Sequence, residues 1–429
     1  MSPAVVAGLI FGLAIGLILT DRLDRTIIAL VGAVAMIAAG TWLGFYSQEQ
    51  AIQAVDFETL GLLLGMMILI SLLKPTGAFE ALALAAARAS RGRPAVLLVS
   101  LGLVTTVLSM LLDNVTTVVL VVPLTILVSE ILALSPAPFL IAEALLSDTG
   151  GVGTLIGDPP NILIASAAGF TFQDFLTHTL PVVILAWAAT LGLLLLLFRR
   201  ELSVSPTEPE ALANLQPRQA LRDPRGAWQV AAVLVGAIVL FFLAPTLHLT
   251  NSLIALGAAG LALAWVRPKV DETLRGVEWS VLVFFASLFV IVGGLQGAGV
   301  LQALGEAVVP IFQGEPVLAS VGMIWFVAVL SAVIDNVPVT IAFIPVITYL
   351  GSTGVNPLPL WWAMAFGAGF GGNATIIGSA ANVVVVQYSR QTREPISSKL
   401  WTRRGLPVMA LTCLLASLAM AVAHSHFAR

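Results

Sequence analysis

Two short sequences, Asp113-Asn114-Val115 and Asp335-Asn336-Val337, each place a carboxylate beside a carboxamide inside an apolar stretch, 222 residues apart. Each is followed by a glycine-rich break, Gly150 to Asn161 (GGVGTLIGDPPN) and Gly371 to Asn382 (GGNATIIGSAAN), 221 residues apart. Asp, Asn and Thr in such places can hydrogen-bond a small polar solute, hold a cation or exchange a proton. Helices interrupted there add free N–H and C=O groups. The candidate solute-binding residues are Asp113, Asn114, Thr116, Thr117, Asn161, Asp335, Asn336, Thr340, Asn373, Thr375 and Asn382. Asp148 and Asp158 align with Gly369 and Ser379, an asymmetry that a purely structural break would not need. With Asp113 and Asp335 they are the candidates for proton or cation coupling. Bland roles compete: Asp-Asn is a good turn, and Asp158 in Gly-Asp-Pro-Pro suits a helix cap. The Asn and Thr residues also satisfy backbone groups freed where helices break.

The elements that carry these groups must be membrane helices. Of 429 residues, 59% are hydrophobic and 10% charged, against about 25% charged in a soluble domain. A span needs about 20 mostly apolar residues. Apolar runs fall at 4–20, 26–45, 57–73, 95–133, 139–168 and 180–198, and again at 228–244, 250–266, 279–296, 317–350, 358–388 and 406–423. If 95–133 and 317–350 each enter and leave on one side, each half crosses the membrane five times. Five is odd, so the halves run in opposite directions. Every basic residue except Arg429 then falls in alternate loops, which makes that face cytoplasmic and leaves both termini outside.

The expected fold is an all-α polytopic membrane protein of two inverted-topology repeats, with ten transmembrane helices, two re-entrant hairpins and two broken helices. Residues 1–198 form the first repeat, 199–227 a cytoplasmic linker and 228–429 the second repeat. Gly77 and Gly299 close corresponding spans, and 76–94 and 299–313 read as interfacial helices. Trp361, Trp362 and Trp401 are expected in the interfacial belt, Glu130 and Glu143 in solvent near span ends, and Cys413 in packing.

Several chemistries are excluded. The three lysines precede Pro75, Val270 and Leu400, so no nucleotide-binding P-loop is present. Four histidines and one cysteine supply neither a zinc site nor a disulfide, and a net charge of −3 gives nucleic acid no footing. We expect no enzyme, no cofactor and no resident metal. The N-terminal apolar run reads as a retained span rather than a secretory signal.

These motifs resemble the ion transporter superfamily, particularly the ArsB-type arsenite/antimonite efflux permeases and the melanosomal P protein branch, over nearly the whole chain. Divalent anion:sodium symporters of that superfamily place Ser-Asn-Thr at the hairpin tips, where this sequence has Asp-Asn-Val. ArsB-type permeases carry an Asn-Asp-Gly type of tip, while Gly-Asp-Pro-Pro-Asn is typical of the P protein branch. The resemblance implies a site between the two tips and the two breaks, and a transport unit that moves against a scaffold. With an Asp at each tip and no intramembrane Lys or Arg, such a site suits a dicarboxylate poorly, whereas neutral arsenous acid offers hydroxyls to Asp, Asn and Thr. The expected function is secondary active export of arsenite and antimonite across the cell (inner) membrane, coupled to the proton gradient. A soluble ATPase subunit is left open as a partner beside the lipid bilayer. Sodium/proton antiport or sodium-coupled anion transport is the alternative, and a channel is disfavoured by the paired breaks.

Overall fold

The computed structural model describes residues 2–19, 23–206, 212, 215–303, 306 and 315–429. Among them there is no β-strand. Among the described residues eight helices are long and apolar enough to cross a membrane: Arg25–Leu43, Phe57–Thr76, Asn114–Ile131, Leu180–Leu197, Pro224–Leu247, Trp279–Gly297, Pro316–Val333 and Ser398–Val422. Four shorter apolar helices, Pro3–Ile18, Pro94–Ser109, Asn251–Val266 and Asn336–Ser352, accompany them. Length therefore assigns eight helices rather than ten, and two of the eight, Asn114–Ile131 and Pro316–Val333, are arms of the expected hairpins.

Each hairpin turns at its Asp-Asn pair because the aspartate caps the returning helix. The Asp113 carboxylate accepts from the Thr116 amide at 2.8 Å, and that of Asp335 from the Val337 amide at 3.1 Å, satisfying N–H groups that the first turn leaves free. Each returning helix carries an internal proline, Pro123 and Pro345, again 222 residues apart, where a backbone hydrogen bond is lost. Gly77 and Gly299 share a left-handed backbone, φ +77° and +75°, which glycine adopts without strain.

Both breaks appear where the sequence places them. Ala137–Gly151 resumes as Pro159–Ala168, and Leu358–Gly371 resumes as Ala380–Ser389. Packing between the halves is reciprocal. Arg25–Leu43 packs on Trp279–Gly297 and Phe57–Leu73 on Asn251–Val266; Asn114–Ile131 packs on Ala380–Ser389 and Asn336–Ser352 on Pro159–Ala168. Such exchanged pairing is what a pseudo-twofold axis produces.

Two expectations are corrected. Trp361, Trp362 and Trp401 are buried inside the protein, while Trp42, Trp228, Trp265 and Trp279 are exposed near helix ends. Glu143 is buried and accepts a hydrogen bond from the Thr125 hydroxyl, because its helix is enclosed on all sides. The 76–94 segment forms the helix Ala78–Ala89, which packs on both hairpin arms through Phe79, Ala83, Ala86 and Ala87. Most of 299–313 lies outside the described residues, as do Arg22 and residues 207–211 and 213–214 of the linker. The described linker docks on the first half, where the Arg222 amide donates to the Thr76 carbonyl at 2.8 Å.

Candidate functional site

A cavity of about 450 Å³ lies between the hairpin tips, the first break and the start of the second resumed helix. Its walls are mostly apolar, including Met66, Met67, Phe284 and Phe285, with a polar set formed by Asp24, Arg25, Asp113, Asn114, Asp158, Glu278, Asp335, Asn336 and Ser379. That size and balance suit a small solute held by a few convergent polar groups. Five carboxyl groups face one guanidinium, so the wall is acidic.

The polar groups are organised across the two halves. The Asn336 amide, at the second tip, donates to both oxygens of Asp158, in the first break, at 3.2 and 3.3 Å. The Ser379 hydroxyl, in the second break, donates to Asp148, in the first, at 2.9 Å. The Asn373 amide donates to the Thr149 hydroxyl at 3.2 Å. At the first tip, the Ser109 hydroxyl donates to Asn114, and the Thr116 hydroxyl donates to Glu278 at 3.1 Å. Arg25 pairs with Asp335 at 2.9 Å and lies over the Phe284 ring, 5.3 Å from its centroid, a favourable position for a guanidinium. Asp24, beside it, caps its helix. The Thr26 amide holds the Asp24 carboxyl below the usual carboxylate range, with the Thr26 hydroxyl adding to this.

The breaks are rebuilt by matched hydrogen bonds. The Asn161 amide donates to the carbonyls of Gly151, Val152 and Thr154, and that of Asn382 to Gly372 and Thr375. The Thr154 hydroxyl donates to Met110 and the Thr375 hydroxyl to Ala332; Ser109 reaches Ser147 and Ser331 reaches Ala368. Apart from the Val152 contact, these interactions of the first half recur in the second because the same backbone groups are freed. Gly151 is required by this packing: a Cβ there would lie 2.6 Å from Asn114 Oδ1 and 2.7 Å from the Gly157 carbonyl.

The sequence-expected residues thus separate into two groups. Asp113, Asn114, Asp158, Asp335 and Asn336 line the cavity. Asn161, Thr375 and Asn382 brace the breaks, Thr116 is engaged by Glu278, and Thr340 donates to the Asn336 carbonyl. Thr117 and Asn373 are fully buried, and Asp148 stands behind Ser379. The premise that no Lys or Arg enters the site is corrected, since Arg25 lies in the cavity wall. It follows a short first helix, so in sequence it reads as an ordinary loop charge. Glu278, just before an apolar run, carries no sequence mark at all.

A second cavity of about 350 Å³ backs onto the first. It is lined by Glu58, Thr59, His248, Thr250, Asn251 and Ser166 among others, and shares Ile162 with the first cavity. Ile162, which is buried, stands where the two cavities meet, with Leu62 and Leu155 beside it in the wall of the second.

The citrate transporter family CitMHS matches residues 15–367. A 46 kDa membrane protein of Mycobacterium leprae is 38% identical over 97% of this chain and 97% of that protein. An uncharacterized transporter of Mycobacterium tuberculosis is 39% identical over 96% of this chain and 97% of its own length. The human P protein is 32% identical over 99% of this chain, which spans 60% of that protein. The crystal structure of the Alcanivorax borkumensis YdaH transporter, described as having an unusual topology, superposes with a TM-score of 0.60 over 99% of this chain and 98% of that one, at 15% identity. That likeness is one of fold. The matches support relation to the P protein, and none of them carries ArsB-type specificity.

Proposed function

The chain belongs to the CitMHS citrate transporter family, and from that premise of a multi-pass membrane transporter we propose a cation-coupled secondary transporter working by alternating access. The observation that carries this reading is the Asn336–Asp158 contact, which ties the tip of one repeat to the break of the other inside an acidic cavity. The topology proposed is ten crossings in two inverted repeats with two re-entrant hairpins and both termini outside, supported by the reciprocal packing and the loop charges. The two back-to-back cavities support opposite-side access, with Ile162 between them. Solute contacts are proposed for Asp113, Asn114, Asp335 and Asn336, and coupling for Asp148 and Asp158, with H⁺ or Na⁺ as the coupling ion.

For the solute, five carboxyl groups around one guanidinium favour a neutral polyhydroxylated species over a free anion. Arsenous or antimonous acid, exported against protons, fits that balance. Citrate, named in the family description, is the second reading, favoured by Arg25 in the wall. Proteoliposomes loaded with arsenite, antimonite or citrate and driven by a proton or sodium gradient test both readings. Gradient-dependent flux of one solute selects it, and gradient-insensitive, non-saturating flux of all would discard coupled transport.

A further inference from the structure

The C-terminal ends of the two half-helices, Ala137–Gly151 and Leu358–Gly371, approach each other near Asp148. Several acceptors there have no donor. Asp148 is 2% exposed; its Oδ1 receives the Ser379 hydroxyl, and its Oδ2 is buried and unpartnered. The Asn382 side chain interacts with this carboxyl, yet its amide hydrogens go to the carbonyls of Gly372 and Thr375, the arrangement that Asn161 repeats in the first half. The amide orientation is therefore set, and Asn382 Oδ1 is buried without a partner. Asn373 is oriented as well: its amide donates to Thr149 Oγ1, whose own hydrogen goes to the Leu145 carbonyl. Its Oδ1 is a third buried oxygen without a partner.

A buried acceptor left unsatisfied is costly, and native structures rarely leave several together. None of the ion pairs among the described residues reaches Asp148. We propose that Asp148, Asn373 and Asn382 form a binding site for one desolvated monovalent cation of sodium type. This deepens the transport reading and rests on it, naming the coupling ion. The donors are all oxygens, the single carboxylate matches a single positive charge, and the partial negative charge at half-helix C-termini favours a cation. One proton shared by Asp148 and Asn382 would satisfy two of the three oxygens and leave Asn373 Oδ1 alone. The site is single because Gly369 stands where the repeat would put a second aspartate; a Cβ there would already lie 2.1 Å from Val152 Cγ2. Ser379 connects it to the solute, since its hydroxyl holds Asp148 while the residue lines the cavity.

The test uses the purified full chain in lipid nanodiscs without solute, titrated with sodium, potassium or choline chloride at constant ionic strength and constant pH. Thermal midpoint and tryptophan fluorescence are recorded; Trp401, which donates to the Asn373 carbonyl at 3.2 Å, is the local reporter. We expect a saturable sodium-specific rise in midpoint that is lost in Asp148→Asn and in Asn373→Ala, and retained radioactive sodium at one ion per wild-type chain. Two variants are used so that a folding failure in one leaves the other to decide, each required to match the wild-type midpoint in choline. Absence of a sodium-specific shift in the wild type overturns the site, as does a sodium response that persists in both variants. A wild type that responds to pH and to no cation puts a proton there and equally overturns it. Sodium binding without any solute flux in vesicles would sink the transport reading and leave the site standing.

Discussion

The carboxamide of Asn336 donates to both oxygens of Asp158, at 3.2 and 3.3 Å, and both residues are buried. One belongs to the hairpin tip of the second repeat and the other to the break of the first. Solute or cation arriving between them must change this contact, so it is where occupancy and the relation of the two halves meet.

Asn336→Ala leaves the Asp158 carboxyl without its donor. A buried acceptor stripped of its partner costs about 1–3 kcal/mol. We expect a lower thermal midpoint and transport reduced by about tenfold or more, tenfold being 1.4 kcal/mol. The Asn336→Ala/Asp158→Asn double variant should be less impaired in stability than the two single effects summed. Strict additivity in thermal unfolding would show that the contact is not coupled.

Arg25 separates the two solute readings. Its pair with Asp335 is partly exposed, with side chains 37% and 20% accessible, so the pair itself contributes at most about 1 kcal/mol to stability. Arg25→Gln should therefore leave the thermal midpoint close to wild type. Under the citrate reading it abolishes citrate flux; under the neutral-acid reading arsenite flux survives. Flux assays of the variant with each solute decide.

Ile162 borders both cavities from the helix that follows Asp158, four residues on and hence on the same helical face. Ile162→Ala should open a leak, seen as solute flux that persists when the ion gradient is collapsed. Ile162→Trp should block flux while solute binding to purified protein is retained. If Ile162→Ala remains fully gradient-dependent, these residues are not the barrier between the cavities.

Gly151→Ala should fold poorly, because its Cβ would meet Asn114 Oδ1 at 2.6 Å and the Gly157 carbonyl at 2.7 Å. Overpacking of this kind costs about 1–3 kcal/mol. Gly236, in the helix Pro224–Leu247, has nothing within 4 Å of its Cβ position, so Gly236→Ala should leave the midpoint unchanged or slightly raised. Paired thermal melts of the two variants in detergent check the contrast.

The membrane class, the turns at both Asp-Asn pairs and both helix breaks could be read from the sequence alone. Hydrophobic runs, loop charge and a repeat spacing are local or periodic properties, and the capping Asp113 and Asp335 sit within a few residues of the amides they satisfy. The same locality explains why Asn161, Thr375 and Asn382 could be placed at the breaks and given, as one of two readings, the task of satisfying the backbone groups freed there.

What only the tertiary structure decided is which groups meet across the repeats. Asp158 faces Asn336, 178 residues away, Asp148 faces Ser379, 231 away, and Arg25 faces Asp335, 310 away. No periodicity encodes such pairings, because they arise when two helical halves pack about a pseudo-twofold axis. The same packing turns Arg25, a loop charge in sequence, into a wall of the cavity. It also encloses Trp362 and Glu143, which the sequence alone would assign to the membrane interface and to water.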